Sequence, residues 1–144
     1  MAFDKKHPPK NDIIFSIMFE NATLLKALLK ALTGIEADIN KVHSQASVIP
    51  ENVNESGIRF DTYAIDKNGN IYTLDMQTSY IENRIKNRML FYSCKAIAKQ
   101  KVHRSKYELL HNVCVSFVIT PEEKKTNGVE KVTVKNERNE PFSD

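Results

Sequence analysis

Two β-type runs meeting at a tight turn constrain this chain most: "IRFDTYAID" (58–66) and "IYTLDMQ" (71–77), joined by "KNGN". Asn-Gly between two such runs predicts a β-hairpin. Side chains alternate faces along a strand, so loop length decides which residues meet. A two-residue turn at Asn68-Gly69 sets Asp61 opposite Met76 and mixes acidic with apolar residues on both faces. A three-residue loop, Lys67-Asn68-Gly69, places Gly69 at the left-handed position of a G1 bulge. It sets Asp66 opposite Asn70 and Asp61 opposite Asp75. Phe60, Thr62 and Ala64 then face Met76, Leu74 and Tyr72, an apolar side. Asp61, Tyr63 and Ile65 face Asp75, Thr73 and Ile71, with Gln77 continuing that side. The three-residue loop is the expected one.

Around this hairpin the periodicity places further elements. Residues 11–32 carry Ile14, Met18, Leu24, Leu25, Leu28, Leu29 and Leu32 at helical spacing, with Gly34 as the expected C-terminal cap. "SQASVIP" (44–50) reads as a short strand closed by Pro50, and 81–102 as a long helix without Gly or Pro. "NVCVSFVIT" (112–120) is a continuous apolar run, expected to be a central strand buried on both faces. "VEKVTVKNE" (129–137) offers one more strand. The order of helix, three strands, helix and strand predicts an α+β sandwich around a mixed sheet.

At 144 residues the chain fits one domain. Residues 1–120 are expected to form its core and 121–144 a polar C-terminal extension. With 41% hydrophobic and 27% charged residues, the composition is that of a globular protein. No apolar run reaches membrane-spanning length and the start lacks a secretion-signal core, so a cytoplasmic location is expected. Cys94 and Cys114 read as reduced core residues, and His7, His43, His103 and His111 form no ligand motif. Glycine-rich nucleotide-binding loops are absent from the sequence.

The hairpin alone leaves two readings of its acids open. They are either solvated surface residues or a cation site. Opposed carboxylates in a sheet stand about 5 Å apart at Cβ and repel each other, which a cation between them relieves. Two carboxylates completed by water suit Mg²⁺ or Mn²⁺ and not zinc. Such an ion lowers the pKa of a bound water and stabilises charge on a phosphodiester. Gln77, on the same side as Asp75, is placed to orient water or phosphate, although a neutral amide brings no charge.

Positive charge is concentrated elsewhere. The net charge is +3, but residues 81–106 hold eight Lys/Arg against the single acid Glu82. At helical spacing Arg84, Arg88, Lys95 and Lys99 fall within about 60° of one another, a stripe suited to a polyanion. Ile85, Met89 and Ala96 lie on one side of it, Leu90, Cys94 and Ile97 on the other.

An acid on the second strand, an acid-x-Gln on the third and a helix on either side resemble the PD-(D/E)XK nuclease core. More narrowly, the chain resembles the PD-(D/E)XK nuclease family transposases, also called the recombination-promoting nuclease (Rpn) family. "NDIIFSIMF", "IRFD", "DKNGNIYTLDMQ", "NRMLFY" and "KYELLHNVCVSFVI" carry the resemblance, in order, over about residues 8–120, and it is expected to extend to the tail "VKNERNEPFSD". It implies a restriction-endonuclease-like αβββαβ core. Asp61 and Asp75 are then the metal-binding acids, Gln77 stands at the motif's last position, and Arg88 and Tyr92 are family-like. Asp12 matches a recurrent family acid that supports the site, or serves as a helix cap.

The sequence departs from the family pattern in three places. No proline precedes Asp61, Asp75 stands where Glu is usual, and Gln77 replaces lysine. Family members are commonly longer, so the chain is expected to be truncated. The expected function is Mg²⁺-dependent (or Mn²⁺-dependent) cleavage of DNA without sequence preference. Arg84, Arg88, Lys95 and Lys99 would grip phosphates, with a homodimer as a further expectation and no membrane partner. The alternatives are a catalytically inactive module of the same fold that binds DNA, and a remnant with a structural or oligomerising role.

Overall fold

The structure, a computed structural model, describes residues 12–48, 58–77, 82–100, 106–119 and 138. The apolar periodicity of 11–32 resolves into two helices, α1 (Asp12–Phe19) and α2 (Ala22–Thr33), instead of one. Asn21 causes the break. Its side-chain oxygen accepts from the amides of Thr23 at 2.9 Å and Leu24 at 3.3 Å, so it caps α2. Periodicity runs through this point because both helices bury the same kind of face. The far end follows expectation: Gly34 has φ 75° and donates its amide to the Lys30 carbonyl at 2.9 Å.

Strand β1 (Ile39–Val48) begins earlier than the run at 44–50 predicts, because its extent is set by the neighbouring β2. β2 (Ile58–Asp66) and β3 (Ile71–Gln77) have the expected bounds. Helix α3 (Glu82–Ala98) ends short of Val102, leaving Lys99 just beyond its last turn. A short 3₁₀ turn (Tyr107–Leu109) leads to β4 (Val113–Ile119). The sheet has four strands in the order β1-β2-β3-β4, antiparallel except for the parallel β3–β4 pair that α3 connects. This is an α+β sandwich with a mixed sheet. The candidate strand at 129–137 and the C-terminal extension lie outside the described residues, Arg138 apart.

The hairpin adopts the three-residue loop. Thr62 pairs with Leu74, Tyr63 with Thr73, Ala64 with Tyr72 and Ile65 with Ile71. Asp66 donates its amide to Asn70, Gly69 donates to the Asp66 carbonyl, and Gly69 has φ 88°. A Cβ at Gly69 would also stand 2.7 Å from the His111 ring, so the loop before β4 packs directly on the turn. Gln100 clamps that loop by bonding both the amide and the carbonyl of His111.

Both faces of the sheet are covered. Phe15, Leu25 and Leu29 of α1 and α2 pack with Ile39, Ala64, Tyr72, Leu74 and Met76. On the other face Tyr92 and Ala96 of α3 pack with Ile58, Phe60, Tyr63 and Ile71, and with Val113, Val115 and Phe117 of β4. Three expectations are corrected here. Phe60 belongs to the Tyr63–Tyr92 side, not to the Met76 side, so simple alternation is not kept across Asp61. β4 is the outer of the four described strands and only half-buried, not central. Cys94 is exposed on α3 and Cys114 half-buried, and neither forms a disulfide.

Candidate active site

Regular β2–β3 pairing stops at Thr62–Leu74, one step before the two acids. Beyond that step the carboxylates take over the bonding. The Asp61 amide donates to Asp75 Oδ1 at 3.0 Å, and the Met76 amide donates to Asp61 Oδ2 at 3.0 Å. Each acid is thus fixed by the backbone of the opposite strand, and the two are brought together as the register predicts. Charged acceptors make stronger bonds than carbonyls, so the exchange holds the strand ends while aligning both carboxylates.

Asp75 is the more constrained of the two, with 1% of its surface exposed. Burial pushes its carboxyl up to about 7. That value already includes the Asp61 amide and the positive Arg88, which lower it, and the Asp61 carboxylate, which adds to the rise. The Thr73 hydroxyl lies close enough to ease the charge, yet both Thr73 Oγ1 and Asp75 Oδ2 are buried outside hydrogen-bonding geometry with any partner. A buried carboxylate oxygen without a donor is costly in a purely structural role, and it is a ready ligand for a cation.

The next residue on that side, Gln77, is 7% exposed. Its Oε1 accepts from Arg88 Nη1 at 2.7 Å, and Arg88 Nη2 donates to the Tyr92 hydroxyl at 2.8 Å. The guanidinium also lies 5.1 Å from the Tyr92 ring centre and 5.9 Å from that of Phe117. Phe117 is the β4 residue paired with Asp75. Asp61, Asp75, Gln77, Arg88 and Tyr92 therefore form one connected cluster at the end of the hairpin.

The other residues singled out by the sequence are not all gathered there. Lys99 Nζ stands 4.5 Å from the Tyr63 ring centre, on the side of the acids. Lys95 Nζ lies 5.6 Å from the Phe91 ring, on an outer flank where Leu90, Phe91 and Ile97 are exposed. Arg84 is exposed near the start of α3. Asp12 begins α1, but its side chain lies outside the described residues. Two participants had no sequence signal of their own. Phe117 reads as one more apolar residue of a strand, and Thr73 as an ordinary β-former. Only the β3–β4 register, which places Phe117 beside Asp75, could have found the first.

The model of the PD-(D/E)XK nuclease family transposases matches residues 9–144 of the chain. The chain belongs to this family. No curated protein and no solved structure matches it. The helices and four-stranded mixed sheet described above are consistent with the α+β fold of a PD-(D/E)XK nuclease. Among the described residues no group of three His, Cys, Asp or Glu side chains is placed to hold a metal ion. Asp61 and Asp75 are two carboxylates brought together at the end of the hairpin, and Asp75 Oδ2 has no hydrogen-bond partner. That set fits Mg²⁺ or Mn²⁺, which commonly bind one or two protein carboxylates and fill the remaining positions with water and phosphate oxygens. Among the described residues no helix is long and apolar enough to cross a membrane.

Proposed function

We propose that the chain is a metal-dependent endonuclease acting on DNA without sequence preference, with Asp61 and Asp75 holding Mg²⁺ or Mn²⁺. The reading is carried by the crossed pair of carboxylates with its one unpartnered, buried oxygen, Asp75 Oδ2. A bound divalent ion supplies Lewis-acid charge beside the phosphodiester and lowers the pKa of water there.

The chain's own residues do the rest. The amides of Asp61 and Met76 hold the two carboxylates in fixed orientation. Gln77 offers its amide group to the phosphate or to the attacking water. Arg88 adds positive charge beside Asp75, which favours ionisation of that acid and the approach of a polyanion. Arg84, Lys95 and Lys99 extend the positive surface along α3, where phosphate contacts give affinity that falls with salt.

Nicking of supercoiled plasmid with Mg²⁺ or Mn²⁺ tests this, comparing the wild-type chain with Asp61→Ala. Cleavage by wild type that disappears in Asp61→Ala is the expected result. Salt-sensitive DNA binding with no cleavage identifies an inactive module of the same fold. Cleavage that survives in Asp61→Ala places the chemistry elsewhere.

A further inference from the structure

Arg88 lies on the stripe expected to grip DNA, yet two of its donors are committed inside the protein. Nη1 bonds Gln77 Oε1 at 2.7 Å and Nη2 bonds the Tyr92 hydroxyl at 2.8 Å. A guanidinium has donors only, so the Gln77 atom facing it is the amide oxygen, and the NH₂ is turned away. The guanidinium is itself anchored. Tyr92 is 5% exposed, and its ring meets Phe60 and Phe117 edge-on at 5.3 and 5.4 Å. Phe117 also faces the guanidinium. Arg88 is thus held by an aromatic wall and not extended as a surface arm.

The geometry points to Arg88 as a positioning residue: by taking the amide oxygen of Gln77, it leaves residue 77 with only N–H donors to present beside Asp75, and it supplies the positive charge that a neutral amide lacks. This rests on the nuclease reading above and sharpens the role of Gln77 within it. With its oxygen turned to Arg88, Gln77 presents its NH₂ group to the site. It donates a hydrogen bond to a phosphate oxygen of the substrate. Helix α3 and strand β3 then share one task, charge from residue 88 and directed donors from residue 77.

Arg88→Lys separates this from a simple phosphate grip, because it keeps the charge and loses the planar fork. The full chain is assayed on supercoiled plasmid with Mg²⁺ over a series of salt concentrations. Positioning predicts a kcat lowered about 10- to 100-fold with KM and salt dependence unchanged. A raised KM with a salt slope shallower by about one unit is the signature of a phosphate contact, and overturns the proposal. A second measurement uses the wild-type chain and needs no cleavage. The side-chain NH₂ signals of Gln77, assigned by their loss in Gln77→Glu, are followed by NMR as short duplex DNA is added with Ca²⁺. They shift while the Arg88 guanidinium signals hold; guanidinium signals that move while the amide stays overturn the proposal. If wild type cuts nothing but the amide shifts, the nuclease reading fails and the orientation of Gln77 stands. If wild type cuts and Arg88→Lys retains full kcat, the positioning role alone fails.

Discussion

The two ends of the β2–β3 hairpin each bury an acid, and they treat it oppositely. At the turn, Asp66 is 8% exposed and accepts from the amides of Asn68 and Asn70, the Asn70 side chain and the Tyr72 hydroxyl. Burial works to raise its pKa, but these donors, led by the Asn70 side chain, bring it below the ordinary value. Tyr72 pays the complementary part, pushed up to about 12 by burial and by Asp66. At the open end Asp75 is more deeply buried, keeps one oxygen without a donor, and is pushed up to about 7. Depth of burial and supply of donors together separate the two acids: Asp66 is shallower and fully supplied with donors, Asp75 deeper and short of one.

Substitution of each acid sharpens that contrast. Asp75→Asn keeps the shape and removes the charge, so plasmid nicking is expected to fall by more than ~100-fold, beyond the range seen for outer-shell partners of metal sites. Thermal unfolding at pH 8 without metal should show the same variant more stable than wild type, because a desolvated charge has been removed. A variant that loses stability there would put Asp75 in the same class as Asp66.

The second effect is in pH. Without metal, the folded chain keeps a proton on Asp75 between the ordinary carboxyl value of 3.8 and about 7, where the unfolded chain has lost it. Stability must therefore fall as pH rises through that window and level off above it, by roughly 4 kcal/mol at most. Asp66 has the opposite sign: its contribution is present above the unfolded pKa and lost as pH falls through its lowered folded value. Denaturant melts from pH 4 to 8 should show the decline in wild type, its absence in Asp75→Asn, and its reduction when Mg²⁺ is added. The smallest of the three changes is Asp66→Ala. It leaves several donors without an acceptor and should cost roughly 3 kcal/mol, read as a lower Tm, while nicking per folded molecule is retained.

The sequence disclosed what is decided locally. The turn chemistry of Lys67-Asn68-Gly69 and the polarity of the flanking runs determine the register, and with it the meeting of Asp61 and Asp75. What stayed hidden depends on distant partners. The start of β1 at Ile39 is fixed by its pairing with Asp66, across a polar-looking stretch. Helical angle alone puts Arg88 among solvent-facing cations, but Gln77, Tyr92 and Phe117 from three elements enclose it. The displacement of Phe60 follows from the same crossing of carboxylates that ends the ladder, which no period-two pattern can express.

The two amides caught by those carboxylates also have a use as reporters. A backbone N–H held by a side-chain oxygen exchanges with solvent at a rate governed by how firmly that oxygen is bound. The hydrogens of Asp61 and Met76 sit on the acids themselves, so their deuterium uptake follows the charge carried by the site. Protonation slackens the hold, and ionisation tightens it. In a chain with no substrate present, exchange at just these two positions records the state of the site directly.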